Sequence, residues 1–347
     1  MALGPLTTLG VGGPAQYLAV AESEQDVAEA VRWAEERGLP LFVLGGGSNL
    51  LVSDQGFAGL VLQIGIRGVK ESGDGRFEVG AGEVWDEFVE RMVKAGMQGV
   101  ECLAGIPGSV GGTPVQNVGA YGQEVAETIV SVRSFDRQTG RFVDLVREAC
   151  KFRYRKSLFN SDEPGRHIVT QVSFRLHPDG DAQVTYGDIK RYFAEHSEVV
   201  DLESVASAVR KIRRGKGMLI VEGDPDCRSA GSFFKNPVVP AERLAEVTAA
   251  AGVGEDTVPH WPATEGEAKA AVKPGVKLSA AWLIERAGFG KGFVDGAAGI
   301  SSRHTLALIN RGGATAADIE RLQARIQAGV RAKFGVELER EPVKLGR

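Results

Sequence analysis

The chain has 347 residues, of which 43% are hydrophobic and 25% are charged. Because one hydrophobic core rarely grows this large, the length predicts two or three domains, and the composition excludes a disordered chain. The net charge of −4, with acidic and basic residues interspersed, argues against a protein that binds nucleic acid or an anionic membrane.

Cysteine and histidine counts narrow the class of protein further. The three cysteines and five histidines show neither Cys-x-x-Cys nor His-x-x-x-His spacing, so we expect no disulfide framework and no metal site. The first residues lack a basic stretch followed by an apolar one, and no apolar run has the length of a membrane span, so we expect neither a secretory signal nor a membrane anchor. The 46 glycines exceed the average share of about 7%, and their clusters suggest backbone close to a ligand.

Hydrophobic periodicity predicts the elements of the first half of the chain. Residues 23–38 read as an amphipathic helix that Ser23 caps, with Val27, Val31 and Ala34 on one face. Further patterns predict strands at 41–44, 60–64, 76–79, 129–135, 141–145 and 168–176, and a helix at 84–95 with Phe88, Met92 and Ala95 on one side.

Turn residues at 177–181 and near 199–201 mark two seams in the chain. Beyond them the patterns predict helices at 202–214, 240–251, 278–287 and 315–334, and a last strand at 336–341. Because helices and strands mix in both halves, the fold class expected is α+β or α/β.

The first glycine cluster, residues 45–50, reads Gly-Gly-Gly-Ser-Asn-Leu after a short buried strand. Successive glycine N–H groups can line one concavity that binds phosphate oxygens, although a plain tight turn explains the cluster equally well. The known nucleotide motifs do not fit. There is no P-loop, and the Gly80-Ala81-Gly82 segment has Trp85 where a dinucleotide fold needs its third glycine.

The second glycine cluster, residues 105–122, has small residues, hydroxyls and amides and almost no charge. We expect an extended loop that wraps a large neutral ring system, since long loops without regular structure are uncommon unless they are functional.

Together the motifs resemble one enzyme family. Gly-Gly-Gly-Ser-Asn-Leu, then Ile-Pro-Gly-Ser-Val-Gly-Gly and Gly-Ala-Tyr-Gly, resemble the FAD-binding half of the UDP-N-acetylenolpyruvoylglucosamine reductase (MurB) family. Tyr-Arg-Lys-Ser at 154–157, Ser-Ala-Gly-Ser-Phe-Phe-Lys-Asn-Pro at 229–237, Lys-Leu-Ser-Ala-Ala-Trp-Leu-Ile at 277–284 and Leu-Glu-Arg-Glu at 338–341 extend the resemblance over nearly the whole chain.

The resemblance implies an α+β fold with a two-part FAD-binding module of the vanillyl-alcohol-oxidase/PCMH type and an α/β substrate-binding domain. The implied domains are 1–66, to which 336–347 returns, then 67–200, then 201–335. The implied activity is NADPH-dependent reduction of an enolpyruvyl UDP-sugar for peptidoglycan synthesis, by a cytoplasmic monomer that holds FAD without a covalent bond.

Three residues are expected to carry the chemistry by resemblance. Arg155 matches the family arginine that binds the substrate carboxylate through two N–H groups, and its guanidinium stays charged throughout the reaction. Glu341 matches its partner, either as a protonated hydrogen-bond donor or as an orienting group. Ser232 matches the proton donor, which must lie against the carbanion because a lone hydroxyl is a weak acid. Without the family pattern each would read as an ordinary surface charge or turn residue.

The binding residues are implied in the same way. Tyr186, in a segment that type I members carry as a lid, is expected on the UDP part, with Lys216, Asn236 and Lys277 at the diphosphate or nearby polar groups. The residues expected to bind FAD are Gly45, Gly46, Gly47, Ser48, Asn49, Leu50, Ile106, Pro107, Gly108, Ser109, Gly112, Thr113, Gly119, Ala120, Tyr121, Ile168 and Arg213.

Two other functions stay open at this stage. A flavin oxidase of the same fold would use oxygen as its electron acceptor, and the motifs around Arg155 and Ser232 argue against it. A UDP-sugar-binding protein without catalysis would not need Arg155, Ser232 and Glu341 together.

Overall fold

The computed structural model describes residues 1–263 and 275–346. Its strands are β1 (Ala15–Ala21), β2 (Leu41–Leu44), β3 (Leu50–Val52), β4 (Phe57–Ile64), β5 (Val69–Glu71), β6 (Arg76–Gly80), β7 (Met97–Gln98), β8 (Gly119–Ala120), β9 (Gln123–Glu124), β10 (Ile129–Asp136), β11 (Arg141–Val146), β12 (His167–Arg175), β13 (His177–Pro178), β14 (Val238–Pro240), β15 (His260–Pro262), β16 (Gly275–Leu278), β17 (Val294–Asp295), β18 (Ala298–Ile300), β19 (Leu308–Asn310) and β20 (Val343–Leu345). Its α-helices are α1 (Glu24–Glu36), α2 (Trp85–Lys94), α3 (Thr113–Gln116), α4 (Gly187–Glu195), α5 (Leu202–Gly215), α6 (Arg243–Ala251), α7 (Ala280–Arg286) and α8 (Ala316–Phe334).

The chain forms two compact units. The first contains Met1, Ala15–Gly47 and Phe57–Gly215, and the second contains Ala2–Pro14, Ser48–Gly56 and Lys216–Arg347. The second unit therefore includes two short pieces of the N-terminal region. The three-domain division stays a prediction.

The first sheet of the first unit is parallel, with strand order β1-β4-β2. Helix α1 begins at a capping box in which Ser23 and Asp26 exchange hydrogen bonds between side chains and backbone. Its buried residues are Val27, Val31 and Ala34, so the predicted helix and its core face are confirmed.

The second sheet of the first unit is antiparallel, with strand order β11-β10-β12-β6-β5. Helix α2 buries Phe88 and Met92, but Ala95 follows the last helical residue and is exposed, so it does not share their side of the helix as predicted. Trp85 is fully buried and its Nε1 donates to Leu103 O at 3.1 Å. An indole in this position fits the packing of a core, not a dinucleotide turn.

The second unit contains the sheets β14-β16-β15 and β17-β18-β19 and the parallel pair β3–β20. Helix α8 begins at a capping box of Thr315 and Asp318. The predicted apolar stripe of this helix is buried and is confirmed; it consists of Ile319, Leu322, Ile326, Val330 and Phe334.

The strand predicted at 336–341 was wrong. Val336 and Leu338 are buried alternately, as in a strand, but the Leu338 carbonyl accepts a hydrogen bond from the Gln327 side chain at 2.7 Å. Within these residues only Arg340 forms a bridge, to Phe234, and the regular strand begins later as β20. The alternation therefore reflects burial of an extended segment without a continuous partner strand.

Neither a membrane-spanning helix nor a metal cluster is found in the described part of the chain. None of its helices is long and apolar enough to cross a bilayer. Over the same residues, no three His, Cys, Asp or Glu side chains lie together in a group that could hold a metal ion.

Candidate active site

Within the first unit, the glycines of the first cluster meet the second cluster. A Cβ on Gly46 would lie 2.6 Å from Gly108 Cα, and a Cβ on Gly45 would lie 2.7 Å from Ser109 Oγ. The turn after β6 holds the second cluster there, because Gly111 N donates to Ala81 O at 2.9 Å. Because glycine has no side chain, a bulky ligand can approach the backbone N–H groups of both clusters closely. This fits the binding of FAD.

Residues 105–122 are more regular than the extended loop predicted from the sequence. A single 3₁₀ turn at Val110–Gly112 leads into the short helix α3, and β8 follows. Thr113 stabilises the junction, since its hydroxyl donates to Val110 O at 2.8 Å. Local hydrogen bonds of this kind are hard to foresee in a sequence so rich in glycine.

Arg213 anchors the start of this loop from helix α5. Its side chain is buried and its Nε donates to Gly105 O at 3.0 Å. Burial lowers the pKa of the Arg213 guanidinium from its usual value, while Tyr121 and Asp86 act in the opposite direction. A buried cation beside the loop suits a ligand that carries phosphate.

Arg155 points its guanidinium at the other end of the loop. Its Nη2 donates to Gly119 O at 2.8 Å and its Nη1 to Asn117 O at 3.5 Å. Arg155 (φ 55°), Asn117 (φ 44°) and Tyr121 (φ 50°) are three of the six described non-glycine residues with positive φ. Such strained backbone is concentrated at functional sites, where the surrounding structure enforces it.

Asn117 is a residue of this site that sequence reasoning missed. Its side chain is 1% exposed; Nδ2 donates to Glu124 Oε2 at 2.8 Å, and Oδ1 accepts from Ala126 N at 3.2 Å. Asparagine tolerates the left-handed conformation better than most residues, and this was the only available signal. The side chain fixes the carbonyl that faces Arg155.

Tyr186 precedes helix α4 and is 47% exposed. Its ring packs edge-on against Tyr121, with the ring centroids 5.5 Å apart. A Cβ on Gly122 would lie 2.6 Å from Thr185 Oγ1, so the Tyr186 segment is in close contact with the end of the glycine loop.

The second unit places the segment of Glu341 beside the segment of Ser232. Glu341 N donates to Phe233 O at 3.0 Å, and Phe233 N donates to Leu306 O at 2.7 Å. Phe233 and Phe234 are fully buried and hold this segment in place, whereas Ser232 and Glu341 are half-buried. A hydroxyl and a carboxyl at neighbouring positions can together serve a proton transfer.

Two expected substrate residues of the second unit lie on adjoining segments. Asn236 Oδ1 accepts from Ala280 N at 3.0 Å, at the start of helix α7, and Lys277 lies in β16 opposite Val238. Lys216 is next to Gly217, where an added Cβ would lie 3.2 Å from Arg303 Nε.

The other predicted FAD residues are distributed over both units. Ser48, Asn49 and Leu50 belong to the second unit, where Val343 N donates to Asn49 O at 3.0 Å. The side chain of Ile168 is 1% exposed and lies in the core of the first unit.

Two family models match the chain. Residues 15–145 match the family described as "FAD binding domain", which makes the chain an FAD-binding oxidoreductase. Residues 224–345 match the "UDP-N-acetylenolpyruvoylglucosamine reductase, C-terminal domain". A UDP-N-acetylenolpyruvoylglucosamine reductase from Streptomyces coelicolor is 46% identical over 99% of this chain and 89% of its own length. Another, from Saccharopolyspora erythraea, is 47% identical over 99% of this chain and 94% of its own length.

A solved structure supports the same assignment. The crystal structure of UDP-N-acetylenolpyruvylglucosamine reductase (MurB) from Thermus caldophilus covers 100% of this chain and 98% of its own, with a TM-score of 0.66 and 28% identity. The chain belongs to the UDP-N-acetylenolpyruvoylglucosamine reductase family. The resemblance found in the motifs, the fold class and the FAD requirement are thereby confirmed.

The contact between the glycine clusters gives a first prediction. We expect Gly46→Ala to be purified with little or no FAD, because its Cβ would overlap the Gly108 backbone. The ratio of flavin to protein absorbance measures this. Gly254→Ala is the control, since nothing lies within 4 Å of the added Cβ. Full FAD content in Gly46→Ala would contradict the assigned role of this contact.

Proposed function

We propose that the enzyme reduces UDP-N-acetylglucosamine enolpyruvate to UDP-N-acetylmuramate for peptidoglycan precursor synthesis, with NADPH as the reductant. FAD, which the two glycine clusters and Arg213 would hold, would supply the hydride that adds to the methylene carbon of the enol ether. Arg155, Ser232 and Glu341 together stabilise the negative charge that develops on the substrate and supply the proton that neutralises it.

Arg155 is proposed to bind the substrate carboxylate and to stabilise the charge that develops beside it. Its guanidinium is already oriented by the carbonyls of Gly119 and Asn117, so little reorganisation is needed during the reaction. A guanidinium also offers two parallel N–H donors, which match the two oxygens of a carboxylate.

Ser232 is proposed to give its hydroxyl proton to the carbon next to the carboxylate, and a neighbouring group or water then restores that proton. The observation that carries the proposal is the hydrogen bond from Glu341 N to Phe233 O, which sets the carboxyl segment beside the serine segment. In this proposal Glu341 orients the substrate carboxylate or, when protonated, donates a hydrogen bond to it.

We further propose that Tyr186 contacts the UDP part as the lid residue of a type I enzyme, while Lys216, Asn236 and Lys277 bind the diphosphate and nearby polar groups. Ammonium and amide donors suit phosphate oxygens. The family relationship supports a UDP-sugar as the substrate.

The flavin is proposed to be bound without a covalent link. No histidine lies at 45–50 or 105–122, and the nearest thiol, that of Cys102, is fully buried. Burial and the charge of Glu101 raise the pKa of this thiol to about 12, which suppresses the thiolate that an attachment reaction needs. None of the three cysteines forms a disulfide, which fits a cytoplasmic enzyme. We also propose that the enzyme is a monomer.

A spectroscopic titration tests the proposed function. Purified protein without oxygen should show flavin absorbance, bleach on addition of NADPH, and recover its colour only when the enolpyruvyl UDP-sugar is added. Recovery with air but not with that substrate would favour a flavin oxidase. Tight UDP-sugar binding without recovery would favour a protein that has lost catalysis.

The proposed role of Tyr186 gives a second prediction. Tyr186→Phe should weaken binding of the UDP-sugar about tenfold, as expected for a lost hydrogen bond to a charged group, and leave flavin reduction by NADPH unchanged. Perturbation of the flavin spectrum on titration with the UDP-sugar measures the affinity. Tyr192→Phe, a tyrosine of helix α4 that hydrogen-bonds Glu198, is the control. Unchanged affinity in Tyr186→Phe would make Tyr186 a structural residue.

A further inference from the structure

Glu101 is a fully buried acid that the proposed chemistry does not use. Its Oε2 accepts from Gly99 N at 2.8 Å. Its Oε1 accepts from Gln123 Nε2 at 2.8 Å and from Gln183 N at 3.1 Å. One carboxylate therefore joins three separate segments of the first unit.

Cys102 binds the same two glutamine residues. Its backbone N donates to Gln123 Oε1 at 2.8 Å, and its Sγ donates to Gln183 O at 3.4 Å. Because burial, aided by the charges of Glu101 and Glu127, raises the pKa of this thiol to about 12, the thiol keeps the proton that it donates. The N–H and the C=O of Gln183 are thus both held, one by Glu101 and the other by Cys102.

These contacts hold the segment that carries Tyr186. Residues 179–186 form neither helix nor strand, so the two hydrogen bonds at Gln183 replace those that regular structure would give. Gln123 lies two residues after Tyr121, whose ring packs against Tyr186. The same buried pair of residues therefore fixes both partners of the tyrosine contact.

We propose that Glu101 and Cys102 are positioning residues that set the place of Tyr186 and so raise the affinity for the UDP-sugar. The inference rests on the proposed contact between Tyr186 and the UDP part. A segment already held in its binding conformation loses less entropy when the ligand binds, and this strengthens binding without any new contact.

Glu101→Gln tests the role of the carboxylate with little change in shape. In the wild type these N–H donors meet a carboxylate oxygen, whereas glutamine turns an N–H₂ group toward some of them. We therefore expect the UDP-sugar to bind about tenfold more weakly to the FAD-loaded enzyme. Flavin reduction by NADPH should proceed at the wild-type rate. Wild-type affinity in Glu101→Gln would overturn the inference.

The thiol is tested by a matched set of cysteine variants. Cys102→Ala should weaken UDP-sugar binding, and Cys102→Ser should restore much of the affinity because a hydroxyl again donates to Gln183 O. Cys150→Ala is the control, since Cys150 is equally buried but its Sγ faces Leu145 O. Equal losses in Cys102→Ala and Cys150→Ala would overturn the role of Cys102, and this set still decides the inference if Glu101→Gln does not fold.

A double-mutant cycle shows whether the effect passes through Tyr186. Glu101→Gln should weaken binding in the wild-type background and have little further effect in Tyr186→Ala, because residues that act together give non-additive changes. Additive losses would overturn the inference and leave the proposed function intact. If Tyr186→Ala alone binds as tightly as the wild type, the contact assigned to Tyr186 fails, and the inference fails with it.

Discussion

Ser232→Ala should reduce the enolpyruvyl UDP-sugar about 10³-fold more slowly, in the range that loss of a general acid usually produces. Flavin reduction by NADPH should stay near normal, because that half-reaction requires no proton on the substrate carbon. Stopped-flow measurement of flavin bleaching and of flavin recovery separates the two half-reactions in one enzyme preparation.

Two variants make the Ser232 experiment sharper. Ser232→Cys keeps a proton donor at the same position and should retain more activity than Ser232→Ala. Ser229→Ala removes a hydroxyl from the same segment, where that oxygen accepts from Gly231 N at 3.3 Å, and should turn over near the wild-type rate. Equal slowing of both half-reactions in Ser232→Ala would contradict the role of Ser232 as proton donor.

The elements that the sequence predicts best are those with local signals at their ends. Helices α1 and α8 both begin at a capping box, and the buried faces of both follow from the spacing of apolar residues. These features depend on residues three or four positions apart. The contact between the glycine clusters was not predicted, because Gly46 meets Gly108 across a long stretch of chain.

The motifs of the sequence predicted which residues form the candidate site, but not how those residues are arranged. The resemblance indicated Arg155, Ser232 and Glu341 by residue, but nothing in the sequence shows that Arg155 has positive φ or that Asn117 orients it. The buried hydrogen bonds of Glu101 were equally hidden. An isolated glutamate in a sequence reads as a surface residue, and only its partners reveal that it is buried.

The failed strand at 336–341 shows the limit of a pattern with period two. Alternate burial correctly identifies which side chains face the core, whereas strand pairing depends on what lies beside the backbone. Here the carbonyl of Leu338 is occupied by the Gln327 side chain. The same extended segment ends at Glu341, whose backbone N donates a hydrogen bond to Phe233 O.

Arg155→Lys should lower the rate of substrate reduction about 10²- to 10³-fold, although the positive charge is kept. Lysine lacks the two parallel donors that match a carboxylate, and its single ammonium cannot reproduce the hydrogen bonds that the guanidinium makes to the loop carbonyls. We also expect a higher KM for the UDP-sugar, because the carboxylate contact exists before the hydride adds. Steady-state kinetics with varied UDP-sugar, together with the rate of flavin reduction by NADPH, measures each effect.

Lys156→Gln is the matched control for Arg155→Lys, since Lys156 is the adjacent, exposed cation and its loss should leave turnover unchanged. Arg155→Gly adds a separate test of stability. Glycine relieves the positive φ of 55°, so the protein should be inactive while its free energy of unfolding changes by less than about 1 kcal/mol. A folded Arg155→Lys enzyme with wild-type kcat and KM would show that the guanidinium only organises the loop, and the charge of the reaction would then have to be stabilised by other residues.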